Sequence, residues 1–189
     1  LDNIIRFGVI AEVNHATARA RVKSGDILTD FLPFITFRAG TTKTWSPPTV
    51  GEQCVMLSVS GEFTTACILV GLYTQNSPSQ SPDEHVIEFA DGAKITYNQS
   101  NGALIVTGIK TASITATNQI DIDCPTINIK GDVNIDGSLS TTGTSTTKGN
   151  ISTQGSVTAS GDIKGGSISL QNHVHLEQGD GQRTSNAKA

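Results

Sequence analysis

The chain has 189 residues, 36% of them hydrophobic, and carries a net charge of −4 from 13 basic and 17 acidic side chains. That apolar share lies below the globular average, so a dry core is hard to build from one copy alone, and the acidic balance sets nucleic acid aside as a partner. No apolar run reaches membrane-helix length and Leu1 opens no basic-then-apolar leader, so folding in a cytosol without a signal peptide is expected.

The composition is uneven along the chain. Residues 1 to 75 contain five of the six Phe and the only Trp, and residues 126 to 189 contain no aromatic residue. Acids and bases balance up to residue 75, and the acidic excess lies beyond it. Cys54, Cys67 and Cys124 form an odd set without CxxC spacing in strand-like surroundings, as expected of reduced, buried thiols.

Successive short strands are expected at Phe7 to Val13, Ala18 to Val22, Phe31 to Ile35, Gln53 to Val59 and Ala66 to Tyr73, separated by Gly and Pro. Five strands in so short a stretch suit a small closed barrel of OB type, which removes sheet edges. This gives an OB-fold collar over 1–75. The polar Ser- and Pro-rich run around 74–83 reads as a linker, with its bounds placed at 76–84. Beyond it, Val86 to Phe89 and Lys94 to Tyr97 flank an Asp91-Gly92 turn, a hairpin signal.

Alternation then continues through Ser113-Ile114-Thr115, Gln119 to Cys124 and Thr126 to Lys130, marking strands with one buried face. From residue 131 glycine recurs every six positions, at 131, 137, 143, 149, 155 and 161. Two residues after these glycines stand Val133, Leu139, Ser145, Ile151, Val157 and Ile163, and four after stand Ile135, Thr141, Thr147, Thr153, Ala159 and Gly165. Both sets lie on one strand face. A last unit opens at Gly166, with Ile168 and Leu170 facing inward.

Each hexad thus offers two inward side chains and no helix to cover them, which a single chain cannot close into a dry core. Three identical chains wound about one axis pool those side chains layer by layer and pair every edge. The shaft is placed at 85–170 and a tip at 171–189. Its inward Ser and Thr leave room for calcium or chloride on the axis.

Asn172-His173-Val174-His175-Leu176 continues the alternation, so His173 and His175 share a strand face where the shaft ends. Three copies would bring six imidazoles around the axis, a donor set that suits an octahedral first-row ion such as iron better than tetrahedral zinc. Both layers reach one ion only if the strand bends. The metal would be structural, with no catalysis. Asp121, Asp123, Asp132 and Asp136 have calcium-ligand chemistry but read as a solvated face, and Gly179-Asp180-Gly181 reads as a turn. His15 and His85 have no Ser or Cys nucleophile in a recognisable motif.

Several stretches carry a family resemblance: Phe37-Arg38-Ala39-Gly40 leading to Trp45-Ser46-Pro47-Pro48-Thr49-Val50-Gly51-Glu52-Gln53, then Gly71-Leu72-Tyr73, Phe89-Ala90-Asp91-Gly92-Ala93 and Val106 to Ser113. The chain resembles the baseplate central spike proteins, or baseplate assembly protein V family, of contractile-tailed phages and of R-type pyocin-like bacteriocins. That resemblance implies an all-β chain. An N-terminal OB-fold barrel would be followed by a trimeric intertwined triple-stranded β-helix, ending in a metal-bound tip where His173 and His175 of each chain hold one iron ion.

It further implies a homotrimer made in the bacterial cytoplasm and mounted beneath the tail hub and tube proteins at the distal end of the tail. Contraction would drive it through the outer membrane of a Gram-negative target. The sequence after the histidines, Glu177 to Thr184, lacks the proline that some members place there.

Two other classes compete with this reading. A hexapeptide-repeat acyltransferase is also trimeric, but glycine here sits two residues before the aliphatic position and the hexads supply only about two coils of a single-chain helix. An OB-fold binding module would read a nucleic acid or glycan with Arg19, Arg21, Lys23 and Trp45, and the balanced charge argues against it.

Overall fold

The computed structural model describes residues 4–175, together with Gly179 and Arg183. The described residues are almost entirely strand, turn and extended chain, with two single 3-10 turns at Val59–Gly61 and Phe63–Thr65. The chain falls into two compact units, Leu1–Ile120 and Asp121–Ala189. No helix among the described residues is long and apolar enough to cross a membrane.

In the first unit, six strands form one curled sheet: β1 Ile5–Asn14, β2 Arg19–Ser24, β3 Ile27–Leu28, β4 Leu32–Pro33, β5 Gln53–Leu57 and β6 Cys67–Leu69. The order is β3-β2-β1-β5-β6, all antiparallel, with β4 also paired to β2. Closure comes from a parallel bridge between Phe34, just after β4, and Ile68 in β6, where Ile35 N donates to Ile68 O at 2.8 Å. The expected five-strand barrel is therefore present, with Ile27–Leu28 as an extra short strand. The last expected strand stops at Leu69 rather than Tyr73, because Gly71 breaks the ladder with φ +85°.

Alternation sorts the side chains. Ile10, Val22, Leu32, Cys54, Met56 and Ile68 meet inside the barrel, each with at most 1% of its surface exposed. A register shift between Ile10 and Glu12 lets β1 bend around this core. Gly8 faces inward against Val22: a Cβ there would overlap the Val22 side chain and crowd the Lys23 carbonyl. Gly8→Ala should therefore cost roughly 1–3 kcal/mol through overpacking, read as a fall of about 10 °C in barrel melting by calorimetry. An unchanged melt would show that the barrel opens freely at this point.

Cys54 is buried beside Glu52, and burial first, the Glu52 charge second, push its thiol up to about 11 from the usual 9.0. Unfolded thiols lose their proton near 9.0 while the folded one keeps it, so this group's contribution is complete below pH 9 and is lost as pH rises toward 11. Iodoacetamide at pH 8 should leave Cys54 unmodified until denaturant is added, as followed by peptide mass spectrometry.

After the Ser- and Pro-rich segment comes a three-stranded meander, β7 Glu84–Glu88, β8 Lys94–Asn98 and β9 Ala103–Thr107. Its first turn is the expected hairpin at Asp91-Gly92, where Phe89 N and Ala93 O are 2.9 Å apart. Cross-strand rows Ile87↔Ile95↔Val106 and His85↔Tyr97↔Leu104 place one apolar row set on a single face. That face is open: Ile87 is 58% exposed and Leu104 68%.

In the second unit the hexads run as extended chain and turns. From residue 108 to 163 no described residue belongs to a strand pair, and the inward-designated aliphatics Val133, Leu139, Ile151 and Val157 are all exposed. Only β10 Lys164–Gly165 and β11 Ile168–Ser169 pair, as a tight hairpin. The hexad phase slip at Gly165-Gly166 is thus a reversal of the chain rather than a continuing strand. Gly166 holds φ +64° at the first turn position, a conformation that only glycine adopts without cost.

Candidate functional site

The two histidines lie just beyond this hairpin. Leu170 N donates to Ile163 O at 2.8 Å and Gln171 N to Asp162 Oδ1 at 3.2 Å, tying the returning chain to the incoming one. Ser169 Oγ then accepts from Asn172 N at 2.8 Å, and His173 N donates to Ser169 O at 3.0 Å. Residues 169 to 173 are therefore a turn, where alternation alone suggested a straight strand. The small polar Ser169 satisfies the backbone amide that a strand partner would otherwise have taken.

The bend brings the rings together. His173 and His175 have centroids 5.2 Å apart, nearly perpendicular at 84°. His173 Nδ1 stands 3.0 Å from Ser169 O and 3.1 Å from Leu170 O. Carbonyl oxygens only accept, so Nδ1 carries the proton and donates, which leaves the lone pair of the neutral ring on Nε2. A backbone carbonyl fixing one ring nitrogen is the arrangement that orients metal-binding histidines, so His173 fits the role of an Nε2 ligand. Among the described residues no group of three His, Cys, Asp or Glu side chains converges within one chain. Two imidazoles alone make an incomplete coordination set.

The remaining candidates are dispersed. Asp121, Asp123, Asp132 and Asp136 are exposed on extended chain, and Cys124 is exposed with its Sγ 3.3 Å from Thr126 O. Of Gly179-Asp180-Gly181, Asp180 and Gly181 lie outside the described residues, as do 176–178 and 184–189. On the barrel, both arginines a binding groove would use are engaged, and Trp45 packs on a neighbouring ring while staying 58% exposed. Arg19 Nη1 donates to Phe31 O at 3.0 Å, Arg21 Nε donates to Thr29 O at 2.8 Å and pairs with Glu12 at 3.5 Å, and Trp45 packs on Phe34 at 6.0 Å between ring centroids.

Sequence reasoning passed over Glu52, which braces the barrel exit. Its carboxylate accepts from Thr49 N at 3.0 Å and from Gly71 N at 3.1 Å, joining the turn before β5 to the end of the strand that feeds the linker. A glutamate entering a strand reads as a solvated charge, and only the fold reveals its two backbone donors.

Comparison with known proteins bears on both parts of the chain. Residues 6–73, the closed barrel, match the family model described as the type VI secretion system/phage-baseplate injector OB domain. The chain is also 45% identical to the spike protein of Escherichia phage P2 over 132 residues, which make up 69% of this chain and 63% of that protein. The closed barrel thus belongs to the phage-baseplate injector OB domain family, and the chain that carries it is similar to a phage spike protein well beyond that barrel.

Proposed function

We propose that three copies of this chain form the membrane-piercing central spike of a contractile injection system, at the distal end of a phage tail or a tail-like particle. In this reading 1–75 is the collar under the tail hub and tube, 76–84 the linker, 85–170 an intertwined triple β-helix and 171–189 the tip. When the sheath contracts, the tip is driven through the outer membrane of a Gram-negative target. Its work is mechanical, without catalysis.

One observation carries the proposal: a regular row of aliphatic side chains in the second unit lies open in a single copy, with Ile151 at 76% and Leu139 at 73%. Burying such a row needs chains that bring the same row in the same register, and identical copies about a threefold axis do so. The open apolar face of the meander is a second surface that identical copies would cover, as contiguous exposed apolar patches mark interfaces. Interchain winding also makes unfolding slow, which suits a device that must stay stiff under load.

At the tip, His173 and His175 from three copies would supply the imidazoles that one pair lacks. Iron is the ion we assign, one per trimer, joining three chain ends, and the small inward residues of the hexads admit calcium or chloride in the shaft. Sedimentation equilibrium of the full chain tests the assembly: a mass near three chains is expected, and a stable monomer overturns it.

A further inference from the structure

The barrel has a second apolar surface, on its outside. On β1, β5 and β6 the residues alternating with the core point away from it, and the pairings Phe7↔Val55↔Leu69 and Ile5↔Leu57↔Cys67 place them in two adjacent rows. With Val9 they make a patch without a charged side chain, on which Phe7 is 71% and Ile5 62% exposed. A sheet apolar on both faces is the pattern of a sheet covered on both faces, and a contiguous patch of this kind marks an interface. Next to it, sharing Leu69, lies a groove of about 380 Å³ lined by Ile35, Phe37, Pro47, Pro48 and Leu69 together with Glu52, whose carboxylate is taken up by Thr49 N and Gly71 N.

We infer that these two patches are the contact between neighbouring barrels: the Phe7 face of one copy packs on the Phe37 groove of the next, closing a ring of three. The inference rests on the trimeric reading and names a surface that reading leaves unassigned. A threefold ring uses two different patches on each copy, not one self-matching patch, and the barrel presents two side by side. Residues 76–84 reach at most about 30 Å when fully extended, so three barrels joined to one shaft meet at an effective concentration near millimolar. The Phe7 face carries no charge to select a distinct partner, the groove's Glu52 is already bound to two backbone amides, and residues 1 to 75 hold equal numbers of acids and bases, so little drives the copies apart.

The test uses the full chain in a Cys67→Ser, Cys124→Ser background, with Phe7→Cys and Phe37→Cys made in separate, differently tagged chains. These are co-expressed and treated with a short bismaleimide. The expected result is a covalent heterodimer on denaturing gels, absent when either variant is expressed alone. A preparation that sediments as a trimer yet gives no heterodimer overturns this contact and leaves the spike reading standing. A monomer overturns both. Phe7→Glu gives an independent reading: the trimer mass should persist while the barrel melts at a lower temperature, and an unchanged melt counts against the contact.

Discussion

Ile151→Asp should abolish assembly. In a single chain Ile151 is 76% exposed, and an aspartate at an exposed position changes stability by no more than about 0.5 kcal/mol. In the proposed trimer the same substitution puts three carboxylates in one layer on the axis. Each is taken out of water at a cost of several kcal/mol without a cation to compensate it, and the three repel one another. At micromolar concentration that is enough to replace the trimer peak in sedimentation velocity by monomer or aggregate. Ser152→Asp, one residue along and on the opposite strand face, should leave the mass near three chains. If both variants stay trimeric, residue 151 does not face the axis and the hexad register is wrong.

The contrast between these adjacent positions reflects what the sequence did and did not disclose. β1 was legible as a Phe-, Val- and Ile-rich run, but with apolar side chains on both faces the run does not say that the inward side is the one that holds Ile10. Barrel closure through Phe34 and Ile68 was not, since a bridge between residues so far apart leaves no local trace. β9 was missed because Leu104-Ile105-Val106 is a continuous apolar run without alternation, although Asn101-Gly102 ahead of it is a turn signal. The hexads gave the spacing of the shaft from glycine alone. At Gly165-Gly166, the same arithmetic read a hairpin as a slipped strand.

At the tip the pair of side chains that meet was legible and their geometry was not. His173 and His175 stand two positions apart, so a straight strand would put them on one face about 6–7 Å apart along its length. Their ring centroids 5.2 Å apart and the Nδ1 contacts to Ser169 O and Leu170 O follow from a turn that no periodicity announces. Recognition of the family came from short stretches such as Trp45 to Gln53 and Gly71 to Tyr73. These build the groove and the Glu52-braced exit of the barrel, where backbone conformation limits which residues fit.

A shaft whose core is shared among chains couples folding to assembly, and this locates the effect of the metal. In the proposed trimer, hexads along the middle would hold three chains by burial of aliphatic side chains, while the chain ends would have few such contacts, and strand ends fray first. The proposed metal, held by all three ends, would oppose that fraying, because an ion bound only by the folded state stabilises it by about 4 kcal/mol when its concentration exceeds the dissociation constant a thousandfold. No step of chemistry is required of it.

Replacing both His173 and His175 with Ala should therefore remove the ion while leaving the trimer intact. Elemental analysis of the purified protein is expected to fall from about one iron per three chains to none. Sedimentation should still report the mass of three chains, because the aliphatic layers from Val133 to Ile163 remain. The tip should loosen, seen as faster protease cleavage after residue 170 and a lower temperature of dissociation in detergent. Ser169→Gly, which removes the hydroxyl holding Asn172 N at 2.8 Å, should weaken metal retention by roughly 10–100-fold, the usual effect of losing an outer contact that orients a ligand. Iron that survives the double substitution would place the ion elsewhere in the chain. One zinc per chain would instead mean that each His173 and His175 pair works within its own copy.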